Sequence, residues 1–111
     1  MKIDPGTERA VHDFIAKVAG QFDLAGVLLF GSRARGNFYP ESDADIAVLL
    51  HGVPGRRVDA ALKMADMAFD VMLETGVLIE AIPLWEDEWE HPERFSNPAL
   101  IENIRREGVR F

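Results

Sequence analysis

An α/β fold, with a small mixed sheet flanked by helices, is predicted by three observations. Continuously apolar runs at residues 27–30 and 46–50, and a nearly apolar one at 77–84, read as buried strands. Apolar residues at three- and four-residue spacing in residues 11–22 and 56–74 read as helix faces. The two patterns alternate along 111 residues, a length suited to a single domain, residues 1–111.

The elements follow in order. Thr7 and Glu8 open a helix whose stripe is Val11, Phe14, Ile15, Val18 and Phe22. Val27–Phe30 is a strand stopped by Gly31. Residues 31–43, with Gly31, Gly36, Asn37, Pro40 and two serines, form a loop with one helical turn. Asp45–Leu50 is the second strand, ended by His51-Gly52 and Pro54. From Arg56 to Glu74 the stripe Val58, Ala61, Leu62, Ala65, Phe69, Met72 marks the clearest helix, ended by Gly76. Met64, Met67 and Met72 read as core filler. Val77–Leu84 is a third strand, apolar apart from Glu80. Trp85–Glu93 is an acidic stretch bearing tryptophans, and Asn97-Pro98 caps a last helix through Arg106.

Composition narrows the function classes. Nineteen acidic and 12 basic residues give a formal charge of −7, so long nucleic acid is not the expected partner. With no cysteine, disulfides, thiolate metal sites and a cysteine nucleophile are excluded. No apolar run approaches the roughly 20 residues of a membrane span. The start, Met1-Lys2-Ile3-Asp4-Pro5-Gly6, lacks the apolar core of a signal peptide. The expectation is a soluble cytoplasmic protein.

Two segments carry chemistry. Gly31-Ser32 directly follows a buried strand, where glycine permits close backbone approach and successive amides form an anion-binding concavity. A helical turn starting at Ser32 would aim its positive end the same way, with Arg33 or Arg35 supplying a cationic fork. The alternative is a plain strand-to-loop turn with two solvent-exposed arginines. Asp43 and Asp45, one residue apart at a strand start, leave the same face, opposite to Ile46, Val48 and Leu50. Such a pair suits magnesium, which takes oxygen ligands from one or two carboxylates plus substrate phosphates. Alternatively, Asp43 caps the strand entry while Asp45 pairs with Arg35. The short link between the strands favours antiparallel neighbours, which would set cradle and carboxylates on one sheet edge. That combination is a nucleotide-handling site.

Gly31-Ser32-Arg33-Ala34-Arg35-Gly36 followed by Ser42-Asp43-Ala44-Asp45-Ile46 resembles the signature of the polymerase-β-like nucleotidyltransferases. The compactness resembles the superfamily's minimal bacterial and archaeal members, and the ending Ile104–Phe111 is similar to endings common among them. The resemblance implies transfer of a nucleoside monophosphate, from ATP as donor, to an acceptor hydroxyl with release of pyrophosphate. It implies that Gly31 and Ser32 hold the triphosphate, assisted by Arg33 or Arg35, and that Asp43 and Asp45 bind two magnesium ions. It places a third acidic residue on the next strand, where Glu80 stands; many members carry aspartate there. The alternative for Glu80 is a solvent-facing residue on an edge strand. The resemblance further implies a HEPN-domain partner, with this chain as the antitoxin of a toxin–antitoxin pair. The rival is a non-catalytic module that neutralises its toxin by burial; transfer to a small molecule such as an aminoglycoside is a third possibility.

The remaining features carry less. His12, His51 and His91 show no ligand spacing and read as incidental. Arg56-Arg57 is a solvated helix end, or a nucleotide or partner contact. Trp85, Trp89 and Phe95 either tuck the tail onto the sheet or dock a partner.

Overall fold

A computed structural model describes residues 3–111; Met1 and Lys2, part of the signal-peptide reading, lie outside the described residues. The chain forms α1 (Pro5–Ala19), β1 (Leu24–Phe30), α2 (Ser32–Arg35), β2 (Ala44–Leu50) and α3 (Arg57–Thr75). It continues with β3 (Ile79–Trp85), α4 (Glu86–Glu90), a 3-10 turn (Pro92–Arg94), α5 (Pro98–Glu107) and β4 (Val109–Arg110). The strands make one mixed sheet in the order β3-β2-β1-β4. As expected from their short link, β1 and β2 are antiparallel. The α3 crossover returns the chain so that β3 lies parallel to β2. The two-residue β4 pairs with β1 through Leu28–Arg110 and Leu29–Val109. Such a short strand leaves no periodic trace in the sequence.

Local chemistry sets the helix starts. Asp4 caps α1, its Oδ2 accepting from the Thr7 amide at 3.1 Å, and Pro5 follows with its φ suited to a first turn. The helix therefore begins two residues before Thr7. Asn97 caps α5 in the expected way, its Oδ1 accepting from the Leu100 amide at 3.3 Å. No helix of the described residues is long and apolar enough to cross a membrane.

Both sheet faces are covered, which is why β1 and β2 read as continuous apolar runs rather than alternating ones. Val27, Leu29, Ile46, Val48 and Leu50 join α1 and α3 in one cluster with Phe14, Val18, Met64 and Val71. Leu28, Phe30, Ala47, Leu49 and Leu84 join Ile101 and Ile104 of α5 in a second. The sheet is thus flanked by helices on both faces, α1 and α3 on one and α5 with the tail on the other.

The tail packs inward. Trp85 is buried, and Trp89 and Phe95 lie against the second cluster. Arg57 stacks between Trp85 and Phe95, with its guanidinium carbon 5.1 and 5.0 Å from their ring centroids. It donates to the Pro83 carbonyl at 2.6 Å and to the buried Glu88 carboxylate. Arg56, by contrast, is exposed and pairs with Asp59 at 2.7 Å.

The apolar stripe that marks α3 in the sequence is not the one that packs. Val58, Leu62, Ala65 and Phe69 face solvent, whereas Met64 and Met67 are buried as expected and Met72 is half-buried. The residues packed on the sheet and α1 are Ala60, Met64, Met67, Ala68 and Val71. This helix is apolar on two sides, and periodicity finds a stripe without saying which side meets the sheet. The buried stripe is rich in small side chains, which let the helix approach closely. Met64→Ala should therefore cost about 2–5 kcal/mol, while Leu62→Ala should stay within about 0.5 kcal/mol. Urea unfolding of both variants checks this; equal losses would contradict the assignment of faces.

Candidate active site

Gly31 ends β1 with φ +78°, a left-handed conformation that glycine adopts without strain. A Cβ there would fall 2.2 Å from Asp45 Oδ2, so this glycine is also what lets the Asp45 carboxylate lie against the loop backbone. The register makes that contact unavoidable: Phe30 sits opposite Asp45 across the antiparallel pair. On the other side, Asp45 is in parallel register with Glu80. Asp43, two residues before Asp45, lies just ahead of β2. Pairing of β1, β2 and β3 thus brings the predicted Gly31-Ser32, Asp43, Asp45 and Glu80 to one sheet end.

The loop turns into the four-residue α2, as expected. Ala34 and Arg35 amides return to the Gly31 carbonyl at 3.1 Å each. The Ser32 and Arg33 amides and the Ser32 hydroxyl have no acceptor among the described residues. These successive donors form an anion-receiving turn.

Arg33 has another role than the one expected. It is 4% exposed, and each of its three nitrogens is committed. Nε donates to the Ser42 carbonyl at 2.9 Å, one terminal nitrogen to Thr7 Oγ1 at 2.8 Å, the other to the Pro40 carbonyl at 3.0 Å. The guanidinium also covers Phe38, 4.6 Å from its ring centroid. A buried arginine satisfied in this way holds the loop's shape, and the phosphate-contact expectation for Arg33 is corrected accordingly. Arg35 remains half-exposed beside the site and pairs with Glu107 at 3.1 Å.

Glu107 is the residue sequence reasoning missed. Its Oε1 accepts from the Gly31 amide at 3.3 Å, from Arg35 at 3.1 Å and from Asn103 Nδ2 at 3.5 Å. A carboxylate from the end of α5 thus sits on two groups assigned to phosphate. A signal existed: an acidic residue in the last turn of a helix opposes the macrodipole and so asks for a local reason.

Electrostatics at the centre are unfavourable to Asp45 as an anion. Burial pushes its carboxyl above the ordinary value, Glu80 and Asp43 push the same way, and Arg35 only partly offsets them. Among the described residues no three acidic or histidine side chains are gathered into a ready metal shell. The donor set nevertheless fits a divalent cation chemically: it is all oxygen, and an added positive charge would relieve the repulsion at Asp45. A cavity lies elsewhere, at the opposite sheet end beside Leu50, His51, Arg56 and Trp85, and holds none of these residues. Of the histidines, His51 meets Glu86 at 3.0 Å and His12 packs edge-on to Phe111.

The raised Asp45 carboxyl has a stability consequence with a definite sign. A carboxyl with a raised folded-state pKa makes the fold most stable while protonated, and that stability is lost as pH rises through the raised value. Asp45→Asn should therefore melt about 2–5 °C above the parent at neutral pH in metal-free buffer. The gap should shrink toward zero as pH falls toward 3.8, the ordinary value for an aspartate. Thermal melts across pH 3–8 measure it, and a variant that melts lower at neutral pH would contradict the charge argument.

Comparisons with known proteins agree with this architecture. The family model described as "Polymerase beta, Nucleotidyltransferase" matches residues 13–82, from α1 into β3. The "Putative protein adenylyltransferase" of Methanocaldococcus jannaschii is 33% identical over 74 residues, 65% of this chain and 50% of that protein. The matched segment thus spans about half the length of that curated relative. A Sulfolobus solfataricus protein, described as "a putative nucleotidyltransferase", superposes with TM-score 0.55 and 25% identity, covering 99% of this chain and 88% of that one. A chain of a toxin–antitoxin solved with AMP-PNP shares the fold at TM-score 0.62 and 18% identity, over 93% of this chain and 70% of that one. With the family model covering more than half of its length, including the Gly31-Ser32 loop and Asp43-Ala44-Asp45, this chain belongs to the polymerase β nucleotidyltransferase family.

Proposed function

We propose that the chain transfers AMP from ATP to a hydroxyl group of a partner protein, and that this partner is a HEPN-domain toxin for which it is the antitoxin. The observation that carries the reading is the Asp45 carboxylate lying directly on Gly31, beside the unpartnered Ser32 and Arg33 amides. An anion-receiving turn beside a carboxylate pair is what a site for a nucleotide and a divalent cation needs. The adenylyltransferase description of the archaeal relative and the toxin–antitoxin description of a chain with this fold support the acceptor class.

In this reading the Ser32 hydroxyl and the loop amides hold the β- and γ-phosphates, with Arg35 adding charge once it leaves Glu107. Asp43, Asp45 and Glu80 would hold two magnesium ions, which when bound neutralise the phosphates and polarise the reacting oxygens. Glu80, the most exposed of the three, would receive the proton of the acceptor hydroxyl. The acceptor oxygen forms a bond to the α-phosphorus, the bond from that phosphorus to the bridging oxygen breaks, and pyrophosphate leaves. Arg33 contributes by holding the loop in shape.

A second reading, neutralisation by complex formation alone, is favoured by Glu107. Its carboxylate already occupies the Gly31 amide and Arg35, as expected of a site that no longer takes nucleotide. The two readings separate cleanly. Incubation with α-labelled ATP, magnesium and the partner protein should place label on the partner. Asp43→Ala should reduce that labelling at least about 100-fold, while neutralisation that survives Asp43→Ala and Asp45→Ala together supports the binder.

Glu107 gives an independent measurement. If nucleotide phosphate replaces this carboxylate, Glu107→Gln should tighten ATP binding by about three- to tenfold, roughly 1 kcal/mol. Calorimetric titration reads it directly, and unchanged or weaker binding would contradict the displacement.

A further inference from the structure

The outer face of α3 is the largest feature that neither the fold nor the site uses. Val58, Leu62, Phe69 and Leu73 are 70%, 63%, 53% and 68% exposed, and Ala65 lies among them. At 100° per residue these five fall within an arc of about 80° that runs the length of the helix. The opposite side carries the stripe packed on the sheet and α1. Four large apolar side chains aligned on one exposed helix face form a patch, unlike scattered surface leucines.

The margins of the stripe differ from each other. One side carries a row of exposed carboxylates, Asp59, Asp66, Asp70 and Glu74, with Lys63 as the cation among them. Asp59 is paired with Arg56, and Glu74 with Lys17 at 3.2 Å. Asp66 and Asp70 have no cation within ion-pair distance among the described residues. The other margin is apolar, formed by half-buried Ala61 and Met72.

This asymmetry decides between occupants. A second copy docked antiparallel would bring the two acidic rows together, since a two-fold axis perpendicular to the helices sets like margins opposite each other. Docked parallel, each acidic row would lie over the apolar Ala61–Met72 margin and lose hydration without a partner. Neither arrangement suits the charges. A foreign helix with an apolar stripe and lysines or arginines on the facing margin satisfies both the stripe and the free carboxylates.

We infer that the outer face of α3 is a docking surface for a partner protein that presents a basic amphipathic helix. The inference rests on the stripe and its charged margin and is independent of any catalytic role for the distant carboxylates.

The test uses the full chain and two labelled 19-residue helical peptides that share a leucine stripe, one with lysine margins and one with glutamate margins. The lysine peptide should bind at least about tenfold more tightly by fluorescence anisotropy, with affinity falling as salt rises. The double variant Leu62→Gln with Phe69→Gln, which leaves the charge unchanged, should abolish that binding while keeping the parent melting temperature. Equal binding of the lysine peptide to parent and double variant would reduce the effect to bulk charge and overturn the inference. Failure of the lysine peptide to bind the parent chain would also overturn it. A parent chain that sediments as a dimer, and becomes monomeric in the double variant, would assign the face to a second copy instead and likewise overturn it.

Discussion

The contact on which the site depends is that of the Asp45 carboxylate with the backbone of Gly31. Strand pairing brings Phe30 opposite Asp45, so whatever follows Phe30 must share space with that side chain. Only a residue without Cβ leaves room, and only glycine takes the positive φ that turns the chain away from the sheet there without strain. One position therefore meets a conformational and a steric demand together. The result is a turn with unpaired amides and a carboxylate held side by side by the sheet itself.

Around that contact the charges are arranged in tension. Burial, Glu80 and Asp43 raise the cost of ionising Asp45, and Arg35 only partly offsets it. Arg35 and the Gly31 amide are meanwhile held by Glu107 from the far end of the chain. Such a site has negative groups in excess, so a cation would be welcomed, and an anion reaching for Arg35 or the Gly31 amide would have to displace a carboxylate. Arg33 stands apart from this tension. Its buried guanidinium ties α1, through Thr7, to the carbonyls of Pro40 and Ser42 and so keeps the connection from β1 to β2 in one shape.

The formal charge of −7 looks global and is in part local architecture. Glu88 is buried against Arg57 and accepts from the Trp85 amide. Glu86 accepts from the Gly52 amide at 2.9 Å, a contact that together with His51 holds its carboxyl below the ordinary value. Asp87 meets Arg94. These carboxylates lace the tail to the strand ends. The acidic row on α3 is different in kind, because it borders an apolar stripe that the monomer does not cover.

The sequence by itself determined the alternation of strands and helices, the turn at Gly31-Ser32 and the Asp-x-Asp strand, because each is written in local spacing. Apolar runs, a glycine after a strand and carboxylates two residues apart are properties of neighbours in the chain. The short link also sufficed for the antiparallel pairing of β1 and β2. Tertiary structure alone decided which side of α3 faces inward, since a helix apolar on two sides has two self-consistent stripes and only packing chooses. It decided that Arg33 is spent within the fold while Arg35 stays at the site, because two arginines one residue apart differ only in what surrounds them. It decided, too, that Glu107 reaches Gly31, a contact across 76 residues that no local pattern encodes. Local physics names the groups a site can use; long-range pairing determines which of them are still free to be used.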